Sequence, residues 1–219
     1  MSALGATLGR RASGGAVRAR AAVFRTPFAA GLVTVLFVTT LWLRDQPDHA
    51  DEVLRWVSTN VHNLSVAPIR SVVLSAFFLP DGRWLSNAIL LVVVLAPLEW
   101  RFGTRWAIAV FASAHVLATM VTEAWEFLAI RDGDLPAQAR YEYDVGVSYG
   151  LYGAAAAACY LLPRPLRPFG VLLVVCYVGI PFVLSSGMTT SGHVLAVSTG
   201  LAWFPVFKRL SVRPLPWRT

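Results

Sequence analysis

The segment Gly146-Val147-Ser148-Tyr149-Gly150-Leu151-Tyr152-Gly153 opens a run of small and apolar residues that continues to Leu162. A second run of this kind contains Ser191-Gly192-His193 and then places small residues at Ala196 and Gly200. Small residues four positions apart let membrane helices approach closely. Polar groups at membrane depth are costly and are usually kept for function. The serine and the histidine are therefore candidates for a Ser–His hydrolase site inside a bilayer.

The composition of the chain excludes an ordinary soluble globule. Of its 219 residues, 56% are hydrophobic and only 14% are charged, and the mean hydropathy is +0.59. Such a surface suits lipid rather than water. Apolar stretches of membrane length predict six helices in one all-α membrane domain, with no second soluble domain. We expect these helices at 26–43, 84–100, 105–128, 146–162, 168–186 and 190–207.

The distribution of charge predicts how this domain is oriented. With the N-terminus inside, thirteen of the 19 basic residues fall in inner segments, which is the positive-inside pattern of a protein with both termini in the cytoplasm. We expect a disordered basic tail at 1–25, the membrane domain at 26–207 and a second basic tail at 208–219. A signal peptide is disfavoured, because no small-residue cleavage site follows the first apolar run. Residues 44–83 are expected to form an outer, interfacial element.

The remaining composition predicts neither a cofactor, a metal site nor a nucleic-acid partner. The two cysteines, Cys159 and Cys176, lie in apolar helices and are interpreted as packing residues. The isoelectric point near 10.1 arises from charges scattered at helix ends, which do not form a basic patch.

The predicted orientation brings three polar residues to one depth. The second, fourth and sixth helices all run from outside to inside, and Asn87, Ser148 and His193 each lie near the start of one of them. Tyr152 lies one helical turn after Ser148, where it can pack against a histidine bonded to that serine. Taken singly, each residue is better explained as packing or local hydrogen bonding. Their coincidence at one depth favours a site.

The order of these motifs resembles that of the rhomboid intramembrane serine proteases. In that family a Gly-x-Ser motif lies on the fourth helix and a histidine on the sixth, which Gly146-Val147-Ser148 and Gly192-His193 resemble. Glu99 to Gly103 is similar to the family's Glu-x-x-x-Gly, and Asn87 to its oxyanion-hole asparagine. The resemblance covers about 65–205.

This resemblance implies a six-helix intramembrane endopeptidase with Ser148 and His193 as a catalytic dyad, supported by Asn87, Gly146 and Tyr152. Its substrates would be single-pass transmembrane proteins, and its location the plasma membrane, of a bacterium given the preference for Arg over Lys. The chain departs from the family pattern at Tyr149, where glycine is usual, and at Arg83, where a histidine is usual. We expect Tyr149 to crowd the oxyanion pocket.

The sequence also allows two functions other than proteolysis. A catalytically inactive rhomboid-like protein would bind transmembrane helices without cutting them, and the departures at Tyr149 and Arg83 favour it. A small transporter is suggested by His115 and Glu123, which lie two turns apart in the third helix. Hydrogen bonding between helices explains that pair more simply than a proton relay.

The predicted topology is tested by labelling single cysteines from either side of the membrane, in a background lacking Cys159 and Cys176. Cysteines replacing Asp132 and Met188 are expected to react from outside, and a cysteine replacing Leu166 from inside. Labelling of position 166 from outside would invert the orientation and remove the shared-depth argument.

Overall fold

The computed structural model of the chain describes residues 25–185 and 187–210, in which all regular structure is helical. This agrees with the predicted all-α class. Apart from Arg25 and residues 208–210, the predicted tails 1–25 and 208–219 lie outside the described residues. Numbered in chain order, the α-helices are α1 Pro27–Asp45, α2 Pro47–Val57, α3 Val61–Val66, α4 Pro68–Ser75, α5 Trp84–Phe102, α6 Thr104–Asp132, α7 Ser148–Ala158, α8 Arg167–Leu184, α9 Met188–Ala202 and α10 Phe204–Arg209.

Helices form at all six places where membrane helices were predicted, but they differ in length. Among the described residues, α1, α5, α6 and the segment Arg164–Leu184, which contains α8, are long and apolar enough to cross a bilayer. The other two are shorter than predicted. Helix α7 has 11 residues and α9 has 15. At ~1.5 Å per residue, α7 is roughly 16 Å long, about half of the ~30 Å hydrocarbon thickness.

The two short helices lie in the centre of the bundle, which explains why they need not meet lipid along a full span. Helix α7 packs against α5, α6 and α9, and α9 also packs against α6 and α8. Helix α8 is peripheral, and in its described range Arg167–Leu184 only Val178 is buried. The apolar pattern alone does not distinguish such a buried helix from one that spans the membrane against lipid.

The predicted small-residue faces of α7 and α9 do meet. A Cβ atom added to Gly200 would overlap the carbonyl oxygen of Gly153 and would lie 2.9 Å from the Cβ of Ala156. A Cβ atom added to Gly153 would lie 3.2 Å from the carbonyl oxygen of Ala196. These distances leave no room for larger side chains, so glycine is what allows the two backbones to come this close.

The stretch 44–83, expected to form an interfacial element, contains the three short helices α2, α3 and α4. Helix α2 is amphipathic, because Leu54 and Val57 are buried whereas Asp51, Glu52 and Arg55 are exposed. Proline opens α2 and α4, where its missing N–H is not needed. These short helices pack over the end of the bundle at which α6 ends and α7 begins.

At the opposite end, one buried carboxylate joins three elements. Glu99 is fully buried near the end of α5 and accepts the backbone N–H groups of Phe28 and Ala29 at 2.9 and 2.8 Å. It also accepts the hydroxyl of Thr104, the first residue of α6, at 2.8 Å. The N–H groups in the first turn of a helix have no partner within the helix, so Glu99 caps α1. The intervening Gly103 has a φ of 93°, which allows the sharp connection from α5 to α6.

Replacing Glu99 is therefore expected to destabilise the fold. Glu99→Leu leaves two buried N–H groups and a hydroxyl without an acceptor, at a cost of about 3 kcal/mol in the free energy of unfolding. Glu99→Gln, which keeps one carbonyl oxygen, is expected to lose less. Thermal unfolding in detergent measures this, with Glu52→Leu on the exposed face of α2 as the control. Equal melting temperatures for Glu99→Leu and the natural protein would contradict the capping role.

Gly200→Leu is expected to push α7 and α9 apart and to lower the melting temperature, because association inside a membrane depends on close packing. Ser198→Leu, at an exposed position on the same helix, is the matched control. An unchanged melting temperature for Gly200→Leu would contradict the close packing of α7 and α9 at this position.

Candidate active site

Ser148 is the first residue of α7, and the backbone before it is held in a fixed path. Gly146 has a φ of 150°, in the region that residues with a side chain rarely adopt. Its N–H donates to the carbonyl oxygen of Ser75 at the end of α4, at 3.0 Å. Val147 is buried. The Gly-x-Ser motif thus supplies the turn that presents the serine at a helix start.

His193 lies in the second turn of α9 and reaches this serine. Its Nε2 atom is 3.1 Å from the Oγ atom of Ser148, and both side chains are partly buried. The sequence predicted this pair from topology and small-residue spacing. In the structure the pairing follows from the close approach of α7 and α9.

Two tyrosine rings fix the position of the imidazole. Tyr152 meets the ring of His193 edge to face, with centroids 4.5 Å apart and an interplanar angle of 77°. Tyr149 packs on it at 5.6 Å and 70°. Edge-to-face aromatic contacts of this kind are favourable and directional. Tyr152 therefore lies where the sequence placed it, beside the histidine.

The side chain of Tyr149, which the sequence suggested could crowd the oxyanion pocket, packs inside the bundle against Ala114 and Ala118 of α6 and Ala196 of α9. Tyr149 is buried, and its ring covers Gly192, where an added Cβ would overlap the tyrosine. Its hydroxyl interacts with Thr122 and Asp144. The side chain thus fills the gap between α6, α7 and α9.

A cavity of about 370 Å³ opens beside the serine. Asn87 and Leu90 of α5, Ser148 and Tyr152 of α7, and Tyr177 of α8 line it. Asn87 lies in the first turn of α5 and donates from Nδ2 to the carbonyl oxygen of Arg83 at 2.9 Å. The amide group has a second N–H, which is not used in that bond. The three residues predicted to share one depth are thus associated with one site.

Arg83 lines the same cavity but is directed outward. Its guanidinium lies 3.3 Å from the carboxylate of Asp81, and both side chains are well exposed. An exposed pair of this kind adds little to stability. Arg83 therefore brings a positive charge to the rim of the cavity without filling the space beside Ser148.

Asp144 is a site residue that the sequence did not single out. Its backbone N–H donates to the Ser58 hydroxyl at 2.9 Å, and its carbonyl oxygen accepts the N–H of Thr59 at 2.9 Å. Burial raises the pKa of its carboxyl to about 6, although hydrogen bonds from Thr59 and Tyr149 oppose the shift. Asp144 therefore anchors the segment before Gly146 to the connection between α2 and α3. An acidic residue four positions before a serine gives no recognisable signal of this.

His115 and Glu123 do not face each other across a relay. His115 is buried on α6 and its Nε2 lies 3.0 Å from the carbonyl oxygen of Val72 and 3.3 Å from the hydroxyl of Ser75. These contacts join α6 to α4, as hydrogen bonding between helices would. Glu123 lies two turns further along α6 and lines a separate cavity. No group of three or more His, Cys, Asp or Glu residues able to hold a metal ion occurs among residues 25–185 and 187–210.

Comparison with known proteins identifies the family. The sequence model for rhomboid-like proteins matches residues 22–212, which is most of the chain. A search of curated proteins and a search of solved structures each found no match. The protein thus belongs to the rhomboid-like family, as its motifs indicated.

Family membership and the long apolar helices together define a multi-pass membrane protein. The rhomboid-like family includes serine proteases as well as inactive members. The family therefore gives the class of protein, and the arrangement of Ser148, His193 and Asn87 is what bears on activity.

Proposed function

We propose that this protein is an intramembrane serine endopeptidase that cuts transmembrane segments of other membrane proteins with a Ser–His dyad. The observation that supports this most is the 3.1 Å separation of His193 Nε2 and Ser148 Oγ beside a cavity that Asn87 also lines. That distance lies within the range over which a histidine removes a proton from a serine.

The chemistry follows from the two side chains. With its proton on Nδ1, His193 accepts the hydroxyl proton of Ser148 at Nε2 while Oγ attacks the carbonyl carbon of a peptide bond. The resulting imidazolium returns the proton to the leaving amine, and an acyl-enzyme forms. Water then attacks the ester by the same route, and His193 acts first as base and then as acid. Tyr152 and Tyr149 hold the ring in place of a third acidic residue.

The negatively charged oxygen of the tetrahedral intermediate must be stabilised by hydrogen-bond donors, and two are proposed here. As the first residue of α7, Ser148 has a backbone N–H with no acceptor inside its helix. The free N–H of Asn87 is the second donor, and the positive end of the α7 dipole adds to both. Donors that are already oriented stabilise the transition state without a cost of reorganisation.

The expected substrates are single-pass transmembrane proteins whose helices unwind easily. A regular helix hides its peptide carbonyls, so small or helix-breaking residues near the outer face favour cleavage. The cavity lies between α5 and α8, two helices that expose many apolar side chains. A transmembrane segment that diffuses in the bilayer would therefore reach Ser148 between them.

The distribution of basic residues supports an orientation in which both termini are cytoplasmic and Ser148 lies near the outer face. We assign the protein to a plasma membrane, of a bacterium given the preference for Arg over Lys. In this orientation α2, α3 and α4 lie on the outer side, and water reaches the dyad from there.

Substitution of the site residues tests the proposal. Ser148→Ala and His193→Ala are each expected to abolish cleavage of a model transmembrane substrate and labelling by a fluorophosphonate. Asn87→Ala is expected to lower the cleavage rate by ~10²–10³-fold, the usual effect of losing one oxyanion donor. Cleavage is followed on gels with the protein reconstituted in lipid.

Ser86→Ala is the matched control. Ser86 lines the same cavity, but its hydroxyl donates to the carbonyl oxygen of Arg83 and not to a residue of the dyad. Melting temperatures show whether each variant is folded. If the natural protein cuts no substrate and takes no serine probe, the alternative of an inactive rhomboid-like protein that binds transmembrane helices replaces this proposal.

A further inference from the structure

A second cavity lies on the other side of Tyr149 from the serine, and its chemistry differs sharply. It has a volume of about 370 Å³ and lies between the end of α6, the segment 135–144 and the start of α9. We call it the acidic cavity, because four of its lining residues are Glu123, Glu126, Glu142 and Asp144. Two aromatic side chains, Trp125 and Tyr143, also line it.

Glu123 is buried in this cavity without a full set of partners. Its side chain is 5% exposed, and its Oε2 atom is buried with no hydrogen-bond donor in the described part of the chain. The Oε1 atom of Glu126 is likewise buried without a hydrogen-bond donor in the described part of the chain. A buried carboxyl oxygen without a donor costs free energy comparable to a lost hydrogen bond or more. Both residues therefore present unused acceptors to the cavity.

The described residues that line the acidic cavity include no cation to pair with its carboxyls. Glu123 lies close enough to Asp144 and Glu126 for their charges to repel, and Glu126 is similarly close to Glu142 and Asp144. No Lys, Arg or His is among the described residues that line the cavity. Arg131, the nearest basic residue on α6, pairs at 2.8 Å with its exposed neighbour Asp132.

The arrangement fits an extended cationic group better than a single metal ion. No three acidic or histidine side chains among the described residues are arranged to hold one ion. The volume corresponds to several waters, each of which occupies about 30 Å³. The aromatic walls suit an ammonium or guanidinium group and its hydrocarbon stem.

We propose that the acidic cavity binds a Lys or Arg side chain of the transmembrane substrate, on the outer side of the peptide bond that is cut. The inference rests on the proposed function for its choice of ligand. Tyr149 lines the cavity and directly follows Ser148, and Gly187 to Thr189 line it at the start of the helix that bears His193. The cavity is therefore bordered by the two helices that bear the dyad, on the side of Tyr149 away from the serine.

Binding measurements test this without requiring cleavage. Ser148→Ala protein in lipid nanodiscs is titrated with fluorescent transmembrane peptides that carry Lys, Gln or Glu at one outer position. The Lys peptide is expected to bind roughly 10-fold more tightly than the Gln peptide, the effect of a hydrogen bond between charged groups. Adding Glu123→Gln or Glu126→Gln is expected to remove most of that preference. The control is Asp134→Asn, which removes the same charge from an exposed residue in the loop after α6. This variant is expected to keep the preference for the Lys peptide.

Three results would overturn the inference. Equal binding of the Lys and Gln peptides would exclude a cationic site, and a preference that survives both Gln variants would place it elsewhere. Stabilisation by Mg²⁺ that is lost in Glu123→Gln would identify a metal site instead. The two Gln variants retain side-chain size, and their melting temperatures report folding. A charge preference in a protein that never cleaves would support this inference and contradict the proposed function.

Discussion

The contact between the backbones of α7 and α9 is the constraint on which the site depends. Gly153 and Gly200 let the two helices approach until a carbonyl oxygen lies where a Cβ would otherwise be. At that separation His193 reaches Ser148 at 3.1 Å. If α7 and α9 were further apart, Ser148 and His193 would keep their positions along the helices, but they would no longer be within hydrogen-bonding distance of each other.

The same constraint explains the composition of the bundle. Between helices in lipid there is no gain from removing apolar surface from water, so packing and hydrogen bonds hold the helices together. Helix α7 accordingly contains glycine and alanine where it meets its neighbours, and α8, at the periphery, contains large apolar residues. The bulky ring of Tyr149 is accommodated because Gly192 leaves space for it across the interface.

The sequence predicted the helical class and the positions of six helices, because both depend on local hydropathy. The approach of Ser148 and His193 was predicted from the order of the helices and the spacing of small residues, which are not local. Hydropathy located α1, α5 and α6 to within a few residues. It overestimated α7 and α9, because a helix buried among other helices is as apolar as one that crosses the lipid. The sequence also left the position of the Tyr149 ring open, since the direction of a side chain at the start of a helix depends on which neighbour offers space. Nor did it reveal the acidic cavity, whose carboxyls come from α6 and from a loop about twenty residues further on.

The capping of α1 by Glu99 has a consequence for how the protein is made. The N–H groups of Phe28 and Ala29 are paired with a carboxylate that lies 71 and 70 residues later in the chain. At a synthesis rate of ~5–20 residues per second, several seconds separate the two. During that interval the first two N–H groups of α1 have not yet met the carboxylate that caps them, and α5 is not there for α1 to pack against. Helix α1 therefore reaches its final packing in the bundle only after α5 has been made and inserted. The helix that is synthesised first is not the first to be locked in place by tertiary contacts.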